Sequence, residues 1–177
     1  SDREAPVVWD SGQFHHHEGH FVAVMDVELG HVGDPMIDLA AWRMRDTVIP
    51  FGDFTQLYAR YAELTGKPVD MAAIQYHHLF FTLTNALSFH RALAQPIPAT
   101  DYMTYAHWVS ETNLHAIETM ADYLGIELEE VEIPEVMSTP VSAPHEHLSR
   151  SLQSIKIDDA FVAYQVRIAF RLARHLE

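Results

Sequence analysis

Cysteine is absent from the 177-residue chain. That excludes disulfides, thiolate zinc sites and cysteine nucleophiles, and it agrees with a reducing, cytoplasmic location, which is our expectation. No run of about 18 apolar residues occurs, so the sequence predicts no transmembrane helix. Basic residues are scarce: 11 Lys and Arg stand against 25 Asp and Glu, for a formal net charge of -14. A charge of that sign opposes the phosphate backbone of nucleic acids and the surface of anionic membranes. We therefore expect neither nucleic acid nor a membrane as partner, while neutral and cationic partners remain open. Glycine and proline are also modest, at 7 and 9, in a chain that is 48% hydrophobic. That composition argues against collagen, low complexity and disorder, and for an ordinary globular core. The polar start, Ser1 to Glu4, does not read as a secretory leader. Beginning on Ser-Asp-Arg, it reads as an internal cut or a processed end.

The first part of the chain and the rest follow different periods. Val7-Val8-Trp9 and Phe21-Val22-Ala23-Val24-Met25 are short β-branched and aromatic runs, separated by a polar stretch with Gly12 and with Glu18-Gly19 at a turn position. They predict strands joined by a hairpin within residues 7–26, followed by a loop through Gly30, Gly33 and Pro35. From Met36 the spacing becomes helical. One helix stops near Asp46–Pro50, and a second carries Phe54, Leu57, Tyr58, Tyr61 and Leu64 before Gly66. A third runs from Asp70 to about Gln95, is apolar nearly all round, and is expected to be the central buried helix before Pro96 and Pro98. A fourth starts at Thr100 or Asp101 and ends at Gly125. Residues 127–144, acidic and carrying Pro134, Pro140 and Pro144, read as a linker. A short helix is expected from about His145 to Ile155, and a last one capped by Asp158. The expected class is mainly α with a small N-terminal β-hairpin unit. We divide it into a hairpin segment, 1–35, and a helical body, 36–177.

The chemistry lies in residues 6–42. Asp10 and Gln13 fall at the end of one strand, and Asp26 and Glu28 at the end of another. If those strands pair, the four groups meet at one rim. Carboxylates and an amide gathered there suit Mg²⁺, a hard cation that takes a few carboxylates with phosphate oxygens and water. An Asp left unligated beside them can accept a proton from a hydroxyl. Such a set is the equipment of phosphoryl transfer. The plain alternative is that all four are polar groups of turns.

Val24-Met25-Asp26-Val27-Glu28, followed by Gly33-Asp34-Pro35-Met36-Ile37-Asp38-Leu39-Ala40, resembles the C-terminal lobe of aminoglycoside phosphotransferase and choline-kinase-like enzymes. It lies nearest to bacterial phosphotransferases related to the kinase-like domain of certain acyl-CoA dehydrogenases. The motif-bearing stretch is about a fifth of the chain. The resemblance implies the C-terminal lobe of a protein-kinase-like α+β fold and an ATP-dependent transferase acting on a small hydroxyl acceptor. It makes Asp10 the catalytic base, Gln13 and Asp26 the Mg²⁺ and nucleotide ligands, and Glu28 a neighbour of the metal. Asp34 and Asp38 would organise the loops and the following helix. The family's His-Gly pair before the catalytic Asp is here Val8-Trp9, and a Trp there implies a different backbone path from Gly. The family's nucleotide-covering N-terminal lobe has no counterpart: no G-x-G-x-x-G occurs, and the two lysines are Lys67 and Lys156. The chain is thus expected to need an N-lobe partner or to self-associate. The other reading is a non-catalytic kinase-like module that binds a partner.

Other features carry plainer readings. His15, His16, His17 and His20 invite a metal, and in a regular strand His15 and His17 share a face, but an exposed polar hairpin explains them as well. His77, His78, His90, His107 and His115 read as structural helix residues, with His31 singled out by its place between Asp26 and Asp34. Ser11-Gly12 is not a nucleophile elbow. Phe54, Tyr58 and Tyr61 read as core. Glu111, Asn113 and Glu118 read as a solvated face or as the lining of an acceptor cleft.

Overall fold

The computed structural model of the chain describes residues 3–97, 100–133, 135, 139–140 and 142–176. Ser1, Pro98 and Pro134, used in the sequence reading, lie outside them. The protein is mainly helical with a small β component. Four short strands, β1 (Ala5–Val7), β2 (Phe14–His17), β3 (His20–Val24) and β4 (His31–Gly33), precede helix α1 (Met36–Asp46). Then follow α2 (Phe54–Thr65), α3 (Met71–Ala94), α4 (Tyr102–Leu124), α5 (Ser142–Ser154) and α6 (Ala160–His175). No helix among the described residues is long and apolar enough to cross a membrane.

β2 and β3 form the expected hairpin, pairing antiparallel from Phe14 opposite Val24 to His17 opposite His20. Its register shifts between His15 and His16, so the simple alternation that put His15 and His17 on one face does not apply. The first expected strand is corrected. It ends at Val7 because Trp9 has φ +73°, outside the extended region. The expected loop before α1 holds a further strand, β4, which pairs antiparallel with β1 from Ala5 opposite Gly33 to Val7 opposite His31.

The contacts divide the chain into two compact units. One contains residues up to Asn85 with Thr112–Leu128, and the other Ala86–Glu111 with residues from Glu129 on. Two of the three boundaries fall inside α3 and α4, and the third follows Leu128.

In the first unit, α1 is the hub. Met36 and Ala40 pack with Tyr58 and Ile74, while Ala41 and Met44 pack with Phe81 and Trp9. Both alanines are fully buried. Their small side chains let neighbouring elements approach α1 from two sides. Asp53 caps α2 by accepting from Thr55 N at 2.8 Å, and Gly66 closes it at φ +65°. Such an N-cap contributes about 1 kcal/mol. α3 is not buried all round, contrary to expectation. Phe81 is 2% exposed, but Phe80 and Leu83 are 43% and 40% exposed, because α1 covers only one of its faces.

In the second unit α5 packs along α6. α5 starts at Ser142, inside the stretch expected to be linker, with Pro144 in its first turn, where a missing N–H costs nothing. Asp159, not Asp158, caps α6, accepting from Val162 N at 2.9 Å. Arg171 donates to Asp101 Oδ2 at 2.9 Å and to Thr104 Oγ1 at 3.1 Å.

Candidate active site

The loop between β1 and β2 carries Asp10, and α1 shapes it. Trp9 occupies the left-handed region that Gly enters freely. For a large side chain that conformation costs on the order of 1–2 kcal/mol. Two sets of contacts oppose the cost. The indole stacks on Phe81 with centroids 5.8 Å apart and meets Phe80 edge-on at 5.7 Å, pairs worth about 0.5–1.5 kcal/mol each. Asp38 of α1 receives the backbone N–H of Val8 at 3.3 Å and that of Trp9 as well. Burial pushes the Asp38 carboxyl above the usual aspartate value, while those two hydrogen bonds pull the other way. Its second oxygen, Oδ1, is buried without a partner. Ser11 Oγ donates to the Asp38 carbonyl at 2.8 Å, fastening the far side of the loop to the same residue.

Asp10 is 6% exposed. A carboxylate so deep requires a partner, and it has two. Arg45, at the end of α1, approaches Oδ2 through Nε at 3.1 Å and through Nη2. Gln13 Nε2 donates to the same oxygen at 3.1 Å. Among the described residues, Oδ1 receives only the Arg45 Nε, at 3.4 Å. Gly12 makes room for this: a Cβ there would lie 2.7 Å from Arg45 Cγ.

Asp26 and Glu28 reach the same rim by the hairpin. Met25 N donates to Gln13 O at 2.9 Å, which extends the β2–β3 ladder by one rung and sets Asp26 next to Gln13 along the backbone. Asp26 then turns through φ +52° into a 3₁₀ turn, Val27–Leu29, that contains Glu28. Both carboxylates are exposed, and Asp26 makes no capping hydrogen bond. The structure thus brings Asp10 and Gln13 into side-chain contact and leaves Asp26 and Glu28 on the adjoining exposed turn. Among the described residues no three His, Cys, Asp or Glu side chains gather as a metal-ligand group. The donor set suits Mg²⁺ only in the mode where phosphate oxygens and water complete the shell.

Below the rim, Asp34 organises the start of α1. Its Oδ1 accepts from Met36 N at 3.0 Å, and its Oδ2 accepts from Arg3 Nε and Nη2 at 3.3 and 3.1 Å. Arg3 Nη1 continues to Asp70 Oδ2 at 2.6 Å, tying the N-terminal segment to the start of α3. The Ala73 N–H that Asp70 caps, and then Arg3, hold the Asp70 carboxyl below its usual value. His31 stacks obliquely on Trp9, 5.6 Å between centroids, and its Nδ1 lies 3.0 Å from Leu29 O.

Arg45 and Arg3 are the residues that sequence reasoning missed. A signal existed: Arg45 lies seven residues after Asp38, two turns along one face of α1. In a chain with 11 basic residues, each Arg within a motif is a candidate partner for a buried acid.

No family model matches the chain, and neither does any curated protein or solved structure compared with it.

Proposed function

We propose that the chain is the helical C-terminal lobe of an ATP-dependent small-molecule O-phosphotransferase of the aminoglycoside phosphotransferase type. The observation that carries the proposal is the shared rim. Gln13 contacts Asp10 and pairs through its backbone with Met25, the residue before Asp26, and two of the residues there, Trp9 and Asp26, adopt left-handed backbone conformations. Strained non-glycine residues gather where a loop must hold a side chain in one place. In this reading Asp10 orients the acceptor hydroxyl and takes its proton. Oδ1 is the oxygen for that task, since Arg45 and Gln13 occupy Oδ2. Gln13 and Asp26 would hold Mg²⁺ against the nucleotide phosphates, with Glu28 beside them. The metal would supply charge neutralisation on the transferred phosphoryl group.

Phe21, Val22, Val27, Leu29 and Val32 are each more than half exposed. In this reading they form the apolar side on which a nucleotide-covering lobe, or a second copy of the chain, would rest. A second reading, a non-catalytic lobe that binds a partner, draws on the Asp10–Arg45 pair, because the guanidinium already engages both oxygens of the carboxylate.

Calorimetric titration with Mg-ATP separates the two. Saturable binding that Asp26→Ala abolishes supports the phosphotransferase reading. Binding that survives the substitution removes Asp26 from the nucleotide site. No binding favours the second reading.

A further inference from the structure

A polar cleft of about 280 Å³ lies in the first unit, and no residue of the loop that carries Asp10 lines it. Arg43 and Asp46, at the end of α1, form one side, His78 of α3 another, and His115, Glu118 and Asp122 of α4 a third. The α4 residues are spaced i, i+3 and i+7, so one helix face presents all three.

Most of the charges there are not satisfied by one another. Asp46 is used locally, accepting from Phe51 N at 2.7 Å. Glu118 pairs with His115 at 3.2 Å. Arg43 and Asp122, by contrast, have no ion pair, with each other or with any other described residue, although both act electrostatically on His78. His78 Nε2 is buried without a hydrogen-bond partner. Most buried polar atoms in native proteins have a partner.

We infer that this cleft binds a small zwitterion of amino-acid type, its carboxylate on the Arg43 guanidinium and its ammonium on Asp122 and Glu118. Four observations select that class. The cleft offers opposite charges that the scaffold keeps from pairing. A phosphate ester is disfavoured, because a single guanidinium would face three carboxylates. A metal ion is disfavoured too, because no ligand group of three forms among the described residues and Arg43 would repel it. The volume sits just below the roughly 300–1,000 Å³ range of drug-sized ligand pockets, so it suits a molecule much smaller than a nucleotide. The inference is independent of the proposal for Asp10 and would stand if Mg-ATP failed to bind.

The test is a titration of the whole chain followed by amide NMR, with glycine, β-alanine, 4-aminobutyrate and 6-aminohexanoate as zwitterions and with ethylamine and acetate as single-charge controls. At least one zwitterion should saturate below about 10 mM, shifting the amides of Thr119 and Asp122, and should bind about tenfold tighter than either control. Arg43→Gln should reduce that zwitterion to the level of ethylamine, Asp122→Asn should reduce it to the level of acetate, and Arg43→Lys should restore part of the loss. Amide spectra of the unliganded variants report whether each is folded. The inference is overturned if no zwitterion saturates, if a control binds as tightly as the best zwitterion, or if the folded variants bind like the parent.

Discussion

Replacing Arg45 with Met tests the architecture around Asp10 most directly. The substitution keeps most of the aliphatic stem and removes the guanidinium. Asp10, 6% exposed, is then left with one side-chain donor, Gln13 Nε2 at 3.1 Å. Breaking a buried pair by removing one partner typically costs about 3–5 kcal/mol, because a buried charge loses its compensation. The Arg45 side chain is 32% exposed, so water can reach the vacated position and relieve part of that cost. We expect a loss of about 2–3 kcal/mol, or a fall in Tm of roughly 5–10 °C for a chain of this length. The assay is urea unfolding followed by tryptophan fluorescence, since Trp9 adjoins Asp10. Asp10→Asn and the double variant complete a cycle. Asn at position 10 removes the charge that Arg45 compensates, so the double variant should lose at least about 1 kcal/mol less than the sum of the single losses. A loss below about 0.5 kcal/mol for Arg45→Met, or single losses that add within about 0.5 kcal/mol, would refute the claim that this pair secures the loop.

Three further outcomes follow from the same structure. Gly12→Ala puts a Cβ 2.7 Å from Arg45 Cγ and should cost about 1–2 kcal/mol, a loss that shrinks in the Arg45→Met background if displacement of Arg45 is its cause. Burial first, then the charges of Arg43 and His115, hold His78 at about 4, with Asp122 opposing them. The unfolded chain, whose imidazole titrates near 6.5, therefore takes up the proton first, and the stability this residue contributes is complete above pH 6.5 and lost as pH falls toward 4. At 1.36 kcal/mol per pKa unit that amounts to about 2 kcal/mol between pH 7.5 and pH 5. His78→Gln should flatten the stability profile by that amount, and an unchanged profile would contradict it. The Tyr58 hydroxyl is buried without a partner, and burial pushes it up to about 12. Tyr58→Phe should therefore be neutral or stabilising by up to about 1 kcal/mol in thermal unfolding, and a loss beyond that would reveal a partner for the hydroxyl.

What the sequence made legible was local. Asp70, Gly66 and Gly125 mark helix ends through bonds and dihedrals that reach only a few residues, so α1 to α4 stand close to their expected bounds. The hairpin was legible for the same reason, with its turn at Glu18-Gly19 between two β-branched or aromatic runs. The β1–β4 pairing was not. It joins two three-residue strands from either side of that hairpin, and neither segment carries enough alternation to announce a partner so far along the chain. The conformation of Trp9 was not legible either, because φ above zero is read from glycine and asparagine, not from tryptophan.

Trp9 is held by tertiary contacts alone, from α1, from Phe80 and Phe81 of α3 and from His31. Asp38 binds the N–H groups before and at the turn, Ala41 and Met44 join Phe81 against the indole, and Arg45 holds the Asp10 that follows. Residues 38, 41 and 45 repeat at three-four spacing along α1, so one helical stripe supports the loop from that side. The Gly33–Ala40 motif therefore acts on the candidate site at one remove. Asp34 sets where α1 begins, by capping it through Met36 N and clamping Arg3. Where α1 begins decides which of its faces meets the Asp10 loop. A substitution at Asp34 would accordingly disturb Asp10 without touching it, which is how a motif that contributes no reacting group can still specify the position of one.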